Sequence, residues 1–140
     1  MQAEILKLMK LRRIPLGNPL AYNFDLEMLK KAKNAKQVVV IGQYNEKKRA
    51  LISTIIALKI RKQRRTDAAV LSVYPDCKGK IVFIDTALTN IFNPKEVMVM
   101  AYENKEVVVN TYDELILKQT LGVAYTDMLL SNAYLIVEGK

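Results

Sequence analysis

The chain has 140 residues, of which 51% are hydrophobic, and a formal net charge of +8 at pH 7. This length and apolar content predict one globular domain, residues 1–140, with its own core. The chain contains no histidine and one cysteine, Cys77. These counts exclude histidine-dependent nucleophiles, histidine-bound zinc and a thiolate zinc site within one chain. Carboxylate chemistry, lysine chemistry or binding alone remain, and we favour binding without a cofactor or a bound metal.

The lengths of the apolar runs and the number of cysteines bear on where in the cell the protein is located. No apolar run approaches the roughly 18 to 20 residues of a membrane span. The N-terminal stretch MQAEILKLMKLRR interrupts its apolar positions with charge, which is not typical of a signal peptide. A single cysteine cannot form an internal disulfide and agrees with a reducing environment. We expect a cytoplasmic protein without a membrane span.

Residues 1–36 read as a basic helical segment. EILKLMKLRRI has apolar positions at helical spacing and stops before Pro15 and Gly17. IPLGNPLAYNF is an irregular connector because it holds two prolines and a glycine. DLEMLKKAKNA is a second helix, with Asn23 or Asp25 as its N-cap.

Residues 37–140 read as an α/β core. QVVVIG, residues 37–42, is a continuous β-branched run ending in glycine and predicts a strand buried on both faces. A helix follows from about residue 46 to 63. Further predicted elements are the strands DAAVLSV, KIVFID, EVMVMAY and EVVVN, a helix from residue 111 to Gly122, the helical turn YTDMLLSNA and the strand YLIVE. The sequence predicts one compact α/β domain with a mixed, mostly centrally parallel sheet of about five strands, flanking helices, and a marginal hairpin over residues 96–110.

The segment after the first strand resembles a phosphate-binding loop. In GQYNEKKR, Gly42 and Lys48 stand at the first-glycine and lysine positions of GxxxxGK[ST]. Asp85, at the end of KIVFID, resembles the metal-site aspartate of the same proteins. These two segments resemble the P-loop NTPase class, which implies phosphate at the loop. The chain departs from the pattern with Lys47 at the second glycine and Arg49 at the hydroxyl position. These departures predict a degenerate, non-hydrolysing relative or an ordinary strand, turn and helix.

Carboxylates beside a lysine suggest a second chemistry. Metal-dependent nucleases hold magnesium between acidic side chains while a lysine orients the attacking water. Asp67, Asp85 and Glu103, with Lys105, supply these residue types, and Asp67 and Asp85 are spaced to flank a hairpin. The alternative is that these carboxylates are surface and cap groups.

The positive charge is concentrated in the N-terminal half. Residues 1–65 hold 16 basic and four acidic side chains, a net charge of +12, whereas residues 66–140 hold six basic and ten acidic ones, a net charge of −4. Such asymmetry predicts a polyanionic partner. We expect a non-catalytic protein that binds the phosphate backbone of DNA or RNA. The alternative is an assembly or scaffold subunit with a degenerate P-loop-like fold that binds itself or an acidic protein. The predicted phosphate contacts are Arg12, Arg13, Lys47, Lys48, Arg49, Lys59, Arg61, Lys62, Arg64 and Arg65.

Overall fold

Five parallel strands form one sheet. The computed structural model describes residues 2–14, 16–67, 69–88 and 103–138. The strands are β1 (Gln37–Gly42), β2 (Leu71–Val73), β3 (Ile81–Asp85), β4 (Glu106–Thr111) and β5 (Tyr134–Glu138). They lie in the order β2-β3-β4-β1-β5, and every described pair is parallel. The predicted α/β fold with about five strands and flanking helices is confirmed.

The predicted position of EVVVN at the margin of the sheet is wrong. This segment is β4, which pairs with β3 on one side and with β1 on the other. All six of its residues are buried, as is typical of a central parallel strand covered on both faces. The other arm of the predicted hairpin, residues 96–102, lies outside the described residues. Charged residues before a strand indicate a turn but do not determine which strand becomes its neighbour.

The helices among the described residues are α1 (Gln2–Leu11), α2 (Leu26–Asn34), α3 (Glu46–Gln63), α4 (Glu114–Leu121) and α5 (Val123–Asn132), with one 3-10 turn at Pro19–Ala21. Side chains at the helix starts accept hydrogen bonds from free backbone N–H groups. Asp25, Asn45 and Asp113 do this for α2, α3 and α4. No helix in the described ranges combines the length and apolar content needed to cross a bilayer.

Each face of the sheet has its own apolar cluster. Alternate residues of β1 show the division, because Val38 and Val40 join one cluster and Val39 joins the other. The first cluster includes Met9 from α1, Ala32 from α2 and many residues of α3. The second includes residues of α4 and α5. The three N-terminal helices therefore share one face of the sheet, and α4 and α5 cover the other.

Candidate functional site

The carboxyl ends of β1 and β4 are a topological switch point. These two strands are neighbours, but the chain leaves β1 toward α3 on one face and leaves β4 toward α4 on the other. Open α/β sheets bind ligands in the crevice at such points. The phosphate-loop resemblance falls at this place.

The loop between β1 and α3 is short, and Lys47 and Lys48 already lie within the first turn of the helix. It consists of residues 43–45, because α3 begins at Glu46 and Asn45 caps it by accepting a 2.9 Å hydrogen bond from the Lys48 backbone N–H. Gly42 has a φ of +145°, and a Cβ there would lie 1.7 Å from the Glu138 carbonyl oxygen. The glycine is thus required by the close approach of β5.

Lys48 crosses the crevice. Its Nζ donates hydrogen bonds to the carbonyl oxygens of Gly42 (2.7 Å) and Thr111 (2.6 Å) and lies 4.6 Å from the centroid of the Tyr44 ring. The side chain is 1% exposed. Burial lowers the pKa of Lys48 to about 8, against the opposing effect of Asp85. The structure therefore places Lys48, one of the predicted phosphate contacts, inside the protein, where its ammonium joins the ends of β1 and β4; its contact with phosphate stays a prediction.

Polar side chains from β3 and β4 lie beside this lysine. Asp85 accepts hydrogen bonds from the Ala87 N–H (3.0 Å) and the Asn110 amide (3.4 Å), and Thr86 and Thr111 join their hydroxyls at 3.0 Å. Burial raises the pKa of Asp85. A cavity of about 190 Å³ next to these groups is lined in part by Asp85 and Asn110. Lys48 and Arg49 also line this cavity, so its walls carry both signs of charge.

The carboxylates proposed for a nuclease are not brought together. β2 and β3 are parallel, so Asp67 and Asp85 do not flank a hairpin, and that expectation is wrong. Asp67 precedes β2, and Glu103 and Lys105 precede β4, whereas Asp85 ends β3 at the opposite edge of the sheet. Asp67 pairs with Arg65 at 2.7 Å, and Glu103 pairs with Lys105 at 3.0 Å. The described residues contain no cluster of three or more acidic, cysteine or histidine side chains that could hold a metal.

Lys59 is a second buried lysine. Its side chain is fully buried, and Nζ donates hydrogen bonds to the Ala35 carbonyl oxygen (2.6 Å) and to Glu106 Oε1 (2.8 Å). Lys62 Nζ reaches the same carboxylate oxygen at 2.6 Å, and Gln63 donates to the other oxygen at 2.7 Å. Two of the predicted phosphate contacts, Lys59 and Lys62, are thus ion-paired with Glu106, and their contact with phosphate stays a prediction.

Charge shapes the pKa values in this cluster. Burial lowers the pKa of Lys59, and Glu106 partly opposes this effect. Burial acts to raise the pKa of Glu106, but hydrogen bonds from Lys59 and Lys62 hold it below its ordinary value. The cluster therefore ties the C-terminal part of α3 to the start of β4 and the end of α2.

The sequence contained a signal for both buried lysines. Lys48 and Lys59 stand four residues before Ile52 and seven after it, which places them on the apolar stripe of α3. A count of charges does not use this spacing. The helical spacing of the apolar residues of α3 would have distinguished these two buried lysines from the exposed ones.

The other predicted phosphate contacts are at or near the surface. Lys47 lies 3.6 Å from Glu138, and Arg49 lies 2.9 Å from Glu46. Such exposed pairs are weak. Arg13, Arg61, Arg64 and Arg65 are exposed and Arg12 is half-buried.

Exposed cations without an acidic partner collect on the face covered by the N-terminal helices. They extend from α1, from α2 and from the segments that follow α1 and α3, and they form no ion pair within the described part of the chain. This set, called the basic face below, consists of Lys7, Lys10, Arg13, Lys30, Lys31 and Arg64. Only Arg13 and Arg64 of these six are among the predicted phosphate contacts. The sequence prediction favoured the dense basic run KIRKQRR at residues 59–65 and so did not include the four lysines of α1 and α2.

Comparisons with protein-family models, with curated proteins and with solved structures each return no match to this chain.

Proposed function

We propose that this protein binds nucleic acid without catalysis, and that the basic face contacts the phosphate backbone. The observation that carries the proposal is the basic face itself, six exposed cations on α1, on α2 and just after α1 and α3 that form no ion pair within the described residues, on one side of the sheet. Lys and Arg bind phosphate without special geometry, and each neutralised phosphate releases counterions. The polymer is DNA or RNA, read mainly through its backbone.

Two further observations support a non-catalytic role. Lys48 donates its hydrogen bonds to the Gly42 and Thr111 carbonyl oxygens, so its charge is already used inside the protein. Asp85 lies at the opposite sheet edge from Glu103, so the two cannot share a magnesium ion. The proposal includes a reducing, cytoplasmic setting, in keeping with a chain that has a single cysteine and so no internal disulfide.

A pair of matched double variants tests the proposal. Arg13→Gln/Arg64→Gln removes two charges of the basic face, and Lys78→Gln/Lys80→Gln removes two exposed charges outside it. Affinity for fluorescent DNA and RNA, single- and double-stranded, is measured over a range of salt concentrations. If both arginines meet phosphates of duplex DNA, the slope of log affinity against log salt becomes shallower by roughly 1.8, at about 0.9 per contact.

The control variant should leave both the affinity and the slope unchanged. Equal losses in the two double variants would show that only overall charge matters and would contradict a defined face. Wild-type protein that binds none of the probes at about 50 mM salt contradicts the function itself. Light scattering on the same samples then tests the alternative, self-assembly.

A further inference from the structure

An apolar groove lies within the face covered by the N-terminal helices. It is bounded by α1, by residues 16–19 and by α3, and its volume is about 490 Å³. This volume falls in the range of about 300 to 1,000 Å³ that is common for binding pockets. The apolar lining residues are Leu6, Met9, Leu16, Pro19, Ala57 and Leu58.

The wall formed by residues 16–19 is held in place by close packing. A Cβ on Gly17 would lie 2.4 Å from the Ala50 backbone nitrogen, so the connector runs directly against α3. The Asn18 N–H donates to Glu46 Oε1 at 3.2 Å, and the Asn18 side chain caps the following turn by accepting from the Leu20 N–H at 3.0 Å. The groove is thus a built concave feature.

The rim of the groove is positively charged. Lys10 and Arg61 line it from α1 and α3, and Lys10 belongs to the basic face. Leu6 is 41% exposed although it faces the groove. An occupant that matches these features has an apolar side that enters the groove and acidic groups that lie beside it.

We propose that this groove binds an amphipathic helical segment of a partner protein, with acidic side chains flanking its apolar stripe. A helix presents apolar residues at i, i+3/i+4 and i+7, which is the pattern that fills such grooves. A sugar-phosphate backbone has no apolar side to fill the lining. A bilayer surface is flat on this scale and does not enter a concave groove.

Charge also argues against a second copy of this chain as the occupant. Two copies of a chain with a net charge of +8 repel one another, and five of the nine described carboxylates of residues 66–140 are ion-paired within their own chain. Among the described residues, Asp67, Glu103, Glu106, Glu114 and Glu138 each form an ion pair. The charge complement must therefore come from a different, acidic protein.

Selection from a phage-displayed library of random 16-residue peptides, using the full chain as bait, tests the proposal. We expect enriched peptides with helically spaced apolar residues and flanking Asp or Glu. Their synthetic versions are titrated against two matched pairs of variants. In the first pair, Leu6→Glu alters the groove, and its control Leu11→Glu alters an exposed leucine of α1 outside the groove. In the second pair, Lys10→Glu reverses a charge on the rim, and its control Lys7→Glu reverses a charge of α1 outside the groove.

Leu6→Glu and Lys10→Glu should each weaken peptide binding about tenfold or more, as for central anchor residues, while the two controls change it less than about threefold. Circular dichroism on every variant confirms that the fold is kept. No enrichment, enriched peptides without acidic residues, or equal losses in controls would overturn the proposal. So would binding to phosphatidylglycerol vesicles or fatty acid that depends on Leu6 in the absence of peptide binding. None of these outcomes depends on whether nucleic acid binds.

Discussion

The buried ion pair between Lys59 and Glu106 makes an asymmetric prediction about stability. Glu106 has three side-chain partners, Lys59, Lys62 and Gln63. Lys59 has one carboxylate, Glu106, and otherwise donates to the carbonyl oxygens of Ala35 and Lys33. Loss of the Glu106 carboxylate therefore leaves the fully buried Lys59 ammonium without a counter-charge. Loss of Lys59 leaves Glu106 still paired with Lys62.

The magnitudes follow from this difference. Glu106→Met should lower the free energy of unfolding by roughly 3 to 5 kcal/mol, the usual cost of leaving one charge of a buried pair. Lys59→Met should cost roughly 1 to 3 kcal/mol, as for the loss of hydrogen bonds to a charged group. Because an isolated buried lysine is stabilised by losing its proton, the penalty of Glu106→Met should decrease as the pH rises.

Urea unfolding followed by circular dichroism measures these differences. Lys62→Met is the matched control, since its side chain is 31% exposed, and it should cost about 1 kcal/mol or less. The double variant Lys59→Met/Glu106→Met should be more stable than Glu106→Met alone, because it removes the stranded ammonium. If Lys59→Met is the more destabilising single change, or if the two changes are additive, the reasoning from partner number is refuted.

Two further predictions concern Lys48 and Arg64. The pKa of Lys48 is lowered to about 8 from an ordinary 10.5. Between these two pH values the unfolded chain binds more protons than the folded one, so the free energy of unfolding rises with pH. In urea unfolding at a series of pH values, wild type should therefore gain roughly 3 kcal/mol relative to Lys48→Met across this window. Arg64 ends α3 with a φ of +56°, and glycine relieves that conformation, so Arg64→Gly should raise the free energy of unfolding by about 1 kcal/mol while weakening nucleic-acid binding. A lower melting temperature for Arg64→Gly than for wild type, or a Lys48→Met difference that is flat with pH, would contradict these expectations.

Local features of the fold were predictable because they depend on neighbouring residues. The β-branched run of β1 and the stop at Gly122 were both identified in the sequence and are present in the structure. Asp25 was one of two candidate caps for α2, and its side chain accepts from the Glu27 N–H at 2.9 Å. Caps and buried strand runs are set within a few residues, so a single sequence specifies them.

The neighbours of each strand were not predictable in the same way. Val107, Val108 and Val109 of β4 lie in register with residues of β1 that are about 70 positions earlier in the chain. A sequence pattern shows that such a strand is buried, but the pairing depends on the crossover connections. The charged residues before β4 favoured a hairpin, and the parallel crossover in fact places this strand in the centre.

A count of charges in the sequence likewise does not show which charged side chains are buried. The net charge of +12 in residues 1–65 predicts a polyanionic partner, yet two of its lysines are internal structural groups. Lys48 shows why these two lysines do not belong among the cations that could meet a partner. An ammonium that donates to carbonyl oxygens at the ends of two strands belongs to the scaffold, and salt changes its interactions little because buried groups are little screened. The exposed cations of α1 and α2 form no such bonds within the described residues, so salt modulates their interactions strongly. Salt-dependent affinity should therefore follow the basic face, and stability should follow Lys48 and Lys59.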